Sequence, residues 1–195
     1  MEITTEQIKA LRDETGVSIM QCKKALEEAG GDAEKARVIL RKASAKSASK
    51  KSDRELGAGI VASYIHAGGS VGSMVELLCE TDFVAKNEEF QTLAREIAMQ
   101  VAATSPEFIS EDEIDEAAKS KAAEIFAEEA EGKPEEIKEK IIQGKLDSYF
   151  GEKTLLKQSY IKNPEQTING LLEEGTQKFG EKIKIGRISR FGILQ

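Results

Sequence analysis

Val71-Gly72-Ser73-Met74-Val75-Glu76-Leu77-Leu78-Cys79 runs straight into Glu80-Thr81-Asp82-Phe83-Val84-Ala85-Lys86-Asn87, and the join between them decides how the chain folds. The first half puts Val71, Val75, Leu77 and Cys79 on one side, the period of a half-buried strand. Beyond the join, Asn87 is suited to cap a helix, and Phe90, Leu93, Ala94, Ile97 and Val101 follow at helical spacing. A phenylalanine beside an aspartate at such a corner costs solvation unless it meets something. Binding residues also collect on loops held by rigid elements. Either Asp82 caps the next helix and Phe83 tucks back into the core, or the corner holds Phe83 out toward a partner.

Upstream, Ile60, Ala62, Tyr64 and His66 alternate with Val61, Ser63 and Ile65, and Gly68-Gly69-Ser70 supplies a turn. That pattern predicts a hairpin. Strand texture returns at Ile183, Ile185, Ile188, Phe191 and Ile193, with Arg187 and Arg190 between. The economical assembly is an α+β core in which a three-stranded antiparallel sheet is packed by helices on one face. The other face then needs shelter, which pairing of two chains supplies.

Residues 1–46 read as three short helices. Thr4 with Gln7 makes a capping box before Ile8 and Leu11. Gly16 ends that helix, and Ser18 with Gln21 opens the next, whose stripe is Cys22, Ala25, Leu26 and Ala29. Gly30-Gly31 stops it, and Asp32 caps a third helix lined by Ala36, Ile39, Leu40 and Ala43. Helices this short are unstable singly and must form a miniature bundle. Ile19 and Met20 are helix neighbours that cannot both face its core. One of them is therefore expected at the surface, where methionine suits an adaptable contact. Arg41, Lys42, Lys46, Lys50, Lys51 and Arg54 form either a basic patch or a solvated helix end, and residues 47–56 are expected to link the bundle to a core of residues 57–195.

Between the Phe90 helix and the last strand, Ser110 with Glu113 resembles another capping box. It predicts an acidic helix to about Glu131, anchored by Ile114, Ile125 and Phe126 and lying peripherally across the core. Gly132-Lys133-Pro134 punctuates, and Ile137, Ile141 and Leu146 mark the next helix. Leu155-Leu156 leads into an extended loop through Asn163-Pro164, followed by a helix carrying Ile168, Leu171, Leu172 and Phe179.

A chain of 195 residues allows one substantial core, or a core with a small accessory module. Its net charge of −7 argues against binding nucleic acid by neutralising phosphates and favours a protein partner. The single histidine excludes a three-histidine zinc site. No phosphate-binding glycine loop occurs, so no nucleotide cofactor is expected. No apolar run approaches the ~18 residues of a membrane span, and no secretory pattern precedes the first helix. Cys22 and Cys79 read as buried thiols in a reducing, cytoplasmic compartment. The acidic stretch from Glu111 to Glu131 has the spacing of a solvated face rather than a catalytic carboxylate pair. An adaptor that binds through residues 1–46 alone is the other alternative.

Several of these residues together resemble one family. Leu11-Arg12-Asp13-Glu14-Thr15-Gly16 leads to Met20-Gln21-Cys22-Lys23-Lys24-Ala25-Leu26. Tyr64-Ile65-His66 precedes Glu76-Leu77-Leu78-Cys79-Glu80-Thr81-Asp82-Phe83-Val84-Ala85, and Gly132-Lys133-Pro134 and Arg190-Phe191 follow. In this order and spacing they are similar to the bacterial translation elongation factor Ts family, in its short, single-core form. The resemblance implies a guanine-nucleotide exchange factor for elongation factor Tu, with no catalytic residue, metal or cofactor of its own. The magnesium ion and GDP it acts on are bound to the partner. It implies a ubiquitin-associated-like bundle whose Arg12, Ile19 and Met20 meet the nucleotide-binding domain of Tu. Many relatives carry methionine where Ile19 stands, a departure that keeps the apolar character. Asp82 and Phe83, with Thr81 and Val84 in the same motif, are implied to approach Tu near its magnesium, and His66 to meet another domain. Two single-core chains are implied to pair and to form a two-plus-two complex with Tu.

Overall fold

In the computed structural model, residues 3–130 and 134–193 are described. Three helices come first: α1 (Thr5–Thr15), α2 (Ile19–Glu28) and α3 (Ala33–Ser49). Their caps are the ones the sequence pattern anticipates. Thr4 and Gln7 form the reciprocal capping box, Ser18 accepts from Gln21 N–H, and Asp32 accepts from Lys35 N–H. Gly16 ends α1 in the left-handed region at φ 65°, where a Cβ would be strained. Leu11, Val17, Cys22, Ala25, Leu26, Ala36 and Leu40 bury themselves together as a small core. Ile19 and Met20 are both exposed, rather than one of the two. The buried stripe of α2 is already filled by Cys22, Ala25 and Leu26, which leaves the first turn facing outward.

The third helix runs past Lys46 to Ser49, into the segment read as a linker, because its Ala, Ser and Lys residues include no helix breaker. This length lets α3 lie against α8 (Ile168–Phe179). Ser44 is buried there, its hydroxyl donating to Leu40 C=O at 3.1 Å and to Gln177 Oε1. The bundle is thus seated on the rest of the chain rather than hung from it.

The sheet has the order β1-β2-β5 and is antiparallel throughout, from β1 (Ala58–Ile65), β2 (Val71–Cys79) and β5 (Lys184–Gly192). In register, Ala62 sits opposite Val75, and Val75 opposite Ile188. These face helix α5 (Glu88–Thr104), whose Phe90, Ala94, Ile97, Ala98 and Val101 are buried against them. Phe90 meets Phe179 of α8 edge to face at 5.7 Å between centroids, a favoured aromatic geometry. His66 lies just beyond β1, in the turn, where its C=O accepts from Gly69 N–H at 2.9 Å. Gly68 and Gly69 take φ of 90° and 70° there.

The middle of the chain departs from the sequence reading. The Ser110 side chain makes no capping hydrogen bond, and residues Glu111–Glu113 form a single 3-10 turn. Glu113 turns its carboxylate back to accept from Ile109 N–H at 2.6 Å, so the apparent capping box closes a loop instead. Helix α6 (Glu116–Glu129) starts later, capped by Asp115, which accepts from Ala118 N–H at 2.7 Å. It does not lie across the main core. It packs on α7 (Glu135–Lys153) around a separate cluster of Ile114, Ala122 and Phe150. Of the expected Gly132-Lys133-Pro134 break, Gly132 and Lys133 lie outside the described residues; Pro134 caps α7. The expected loop after Leu155 holds a small antiparallel ribbon, β3 (Ser159–Tyr160) with β4 (Asn163–Thr167). Gln100 of α5 anchors it by donating to Ser159 C=O at 3.1 Å and accepting from Ile161 N–H at 2.9 Å.

Candidate partner-binding corner

At the end of β2 the backbone stays extended through Thr81 and then turns for one helical cycle, α4 (Asp82–Ala85). Thr81, not Asp82, is the cap of this turn, its hydroxyl accepting from Val84 N–H at 3.5 Å. Asn87 caps α5, accepting from Glu89 N–H at 2.8 Å. The short helix sends adjacent side chains in different directions. Val84 goes inward and is 5% exposed, part of the main core, so its contribution is to pin the turn. Phe83 goes outward and is 81% exposed, which overturns the reading in which it tucks back. Leaving a phenylalanine in water forgoes about 2 kcal/mol of burial. Asp82 beside it is also exposed and pairs with Lys86 one turn on, at 2.6 Å. That ammonium holds the Asp82 carboxyl below its ordinary value.

The corner is braced from far along the chain. The N–H groups of Glu80 and Thr81 both donate to Glu181 Oε2 at 3.0 Å, and the Thr81 hydroxyl donates to Glu181 Oε1 at 2.6 Å. In return, Glu80 accepts from Lys182 N–H at 2.6 Å and from the Arg54 guanidinium at 3.1 Å. The hydrogen bond from the Lys182 backbone, helped by Arg54, lowers the Glu80 carboxyl below its usual range. Lys182 Nζ closes the knot on the carbonyls of Ser52 and Arg54, in the segment that leads out of the bundle. The Cys79 thiol is buried beside it and donates to Thr81 C=O at 3.2 Å. Burial pushes that thiol up, and the Glu181 charge adds to the effect.

The other residues singled out by sequence lie on separate patches. His66 is exposed at the opposite end of the hairpin, its Nδ1 3.1 Å from the Tyr64 hydroxyl. The nine residues of β2 put roughly 27 Å between it and the corner at ordinary strand rise. Arg12, Ile19 and Met20 gather at one end of the bundle. Arg12 is exposed in the last turn of α1, and Ile19 and Met20, 55% and 75% exposed, open α2. Glu181, Lys182 and Arg54 were not legible as site residues. Glu181 follows the Gly180 cap of α8 without any local pattern, about a hundred positions from the groups it holds. Among the described residues there is no cluster of three or more His, Cys, Asp or Glu able to hold a metal ion, and no helix long and apolar enough to cross a membrane.

The family model described as Elongation factor TS matches residues 48–193. The chain is 47% identical over 196 residues to the elongation factor Ts of Thermodesulfovibrio yellowstonii, which spans 100% of this chain and 98% of the relative. It is 47% identical to that of Carboxydothermus hydrogenoformans over 98% of this chain and 89% of the other. It is 46% identical to that of Thermosipho melanesiensis over 98% of both. Taken with the α+β architecture and the Glu80–Ala85 corner, these matches show that the chain belongs to the elongation factor Ts family.

Proposed function

We propose that this chain is a guanine-nucleotide exchange factor for elongation factor Tu, binding the Tu·GDP complex and promoting GDP release so that GTP enters. The observation that carries this reading is Phe83, a large apolar side chain left in water on a one-turn helix whose leading end is clamped. Such a residue has the form of a wedge. The nucleotide on Tu is held by phosphate contacts and a magnesium ion, which demands near-octahedral oxygen coordination. Pushing an aromatic ring among the elements that surround the ion weakens ion and nucleotide together. No bond is made or broken, so the chain needs no acid, base, nucleophile or cofactor and is not an enzyme.

The energetics require more than one patch. Raising the GDP off-rate a hundredfold takes about 3 kcal/mol of coupling. One buried aromatic anchor contributes about 2 kcal/mol. The bundle, read as ubiquitin-associated-like, holds the two proteins together by docking Arg12, Ile19 and Met20 on the nucleotide-binding domain of Tu, and the hairpin contact supplies the rest. His66 reaches a second domain from the far end of the hairpin. A separation of roughly 27 Å suits contact with two domains rather than one.

The outer face of the sheet supports pairing of two chains in the cytoplasm, and hence a two-plus-two complex. Val61, Ile65, Met74 and Phe191 are exposed large apolar residues on its strands, around the Glu76–Arg187 ion pair at 3.0 Å. Isolated apolar residues are ordinary at surfaces, but a set sharing one sheet face marks an interface.

Release of fluorescent GDP from Tu, followed with and without this protein, tests the main claim. Faster release is expected, and an unchanged rate refutes it. Sedimentation at rising protein concentration tests the pairing. A mass near twice that of the chain is expected, and a monomer at every concentration refutes it.

A further inference from the structure

We infer that Glu181 is the positioning residue of the Phe83 corner, an inference that rests on the exchange reading above. Helix α4 is a single turn of four residues, and one turn has almost no stability of its own. Val84 pins one side of it and Ala85 packs beside it at the edge of the core, but neither holds the strand end that leads into the turn. A wedge that must displace part of its partner has to be ordered beforehand, since any freedom it loses on binding is subtracted from the work it does.

Glu181 removes that freedom through an unusual concentration of bonds. One carboxylate takes two consecutive backbone N–H groups and the hydroxyl of the capping residue. Bonds to an ionised acceptor are the stronger kind. A carboxylate can only accept, so the Thr81 proton must point at Glu181. The lone pairs of that hydroxyl are then left for Val84 N–H, which starts the helical turn. Glu181 thus orients the cap as well as the backbone. The neighbouring Glu80 returns the contact to Lys182 N–H, so that the strand end and the turn between α8 and β5 hold each other. Glu181 itself need not touch the partner, because it acts through Thr81 and the backbone.

The test uses the full-length protein with Tu carrying fluorescent GDP, and compares wild type, Glu181→Ala, Glu181→Gln, Phe83→Ala and the Glu181→Ala/Phe83→Ala double variant. If the corner is ordered in only about a tenth of Glu181→Ala molecules, the saturating release rate falls about tenfold. The half-saturating concentration rises by less, because the bundle and hairpin contacts remain. Amide hydrogen exchange speeds up at Thr81–Ala85 and not in the middle of β2. Glu181→Gln keeps the size and one acceptor oxygen, and falls between wild type and alanine. In the double variant the loss is no greater than in Phe83→Ala, because Glu181 has no wedge left to position. Additive losses in the double variant, or wild-type release and corner protection in Glu181→Ala, overturn the inference. The wild-type arm separates the two claims: no acceleration by wild type refutes the exchange reading itself, whereas normal wild-type exchange with an indifferent Glu181 refutes only this one.

Discussion

The Phe83 corner and the Ile19-Met20 turn use the same local device and are stabilised differently. Each opens a helix with a hydroxyl cap, Thr81 in one and Ser18 in the other, and each sends large apolar side chains into solvent from the first turn. Ser18 works with a neighbour, accepting from Gln21 N–H and donating to Gln21 Oε1. Thr81 is held by a carboxylate about a hundred residues away. The difference follows from helix length. Helix α2 has a buried stripe of Cys22, Ala25 and Leu26 that fixes its orientation, so its exposed turn needs no further brace. Helix α4 has Val84 buried and Ala85 only partly so, and borrows its rigidity from Glu181. A short element can be as well placed as a long one, provided that distant chain supplies the bonds it cannot make itself.

Removing the wedge should produce the largest effect. Phe83→Ala discards an anchor of about 2 kcal/mol, and saturating GDP release is expected to slow roughly thirtyfold. Because the ring stands in water, the thermal midpoint should stay within about 2 °C of wild type. A large fall in the midpoint would mean that Phe83 packs inside, and would erase the contrast with Val84 next to it. The bundle turn should respond in a different coordinate. Replacing Ile19 and Met20 together by alanine removes docking area, and the half-saturating concentration is expected to rise about tenfold, near 1.4 kcal/mol, with the saturating rate within about twofold. Titrations of release rate against protein concentration separate the two. If both variants change the same parameter, wedge and docking pad are one function spread over two places.

How much of this was legible depended on distance along the chain. The caps at Thr4, Ser18 and Asp32, the hairpin glycines and the strand alternation are local, and each appears in the fold where the sequence puts it. Ser110 and Glu113 carried the same local signature and misled. The pattern marks a helix start only when the following residues continue the helix, and here the chain turns extended at Ile114, which is buried against Phe150. The β3–β4 ribbon was illegible because Asn163-Pro164-Glu165-Gln166-Thr167 has no apolar alternation. Its place is set by Gln100, buried on α5. At the corner the sequence announced an exposed aromatic as one of two readings. It could not choose between them, because the choice is made by Val84 turning inward and by Glu181 arriving from the far end of the chain.

The same two regions differ in their response to acid, and this gives the smallest and most discriminating effect. At the corner, the Lys182 backbone and Arg54 hold the Glu80 carboxyl below its ordinary value. A lowered carboxyl stabilises the fold above its unfolded value, and that contribution is lost as pH falls through the folded one. The bundle's seat has the opposite sign. Burial between α3 and α8 raises the Glu174 carboxyl, against opposing pulls from Gln166 of β4 and from Arg41 of α3, 4.0 Å away, with the Glu173 charge adding to the rise. Its contribution is fully present below the unfolded value and is lost as pH rises through the raised one. In the seat burial therefore disfavours the ionised carboxylate, whereas at the corner the partners favour it. Glu174→Gln should raise the thermal midpoint as pH rises toward neutral and lose that gain in acid, where protonation relieves the native carboxyl. Glu80→Gln should do the reverse, costing stability at neutral pH and little in acid. Melting both variants across the acid range tests the assignment. Parallel pH profiles would mean that the Arg41 contact outweighs burial at Glu174, and that the bundle is seated by an ion pair of the same kind that braces the corner.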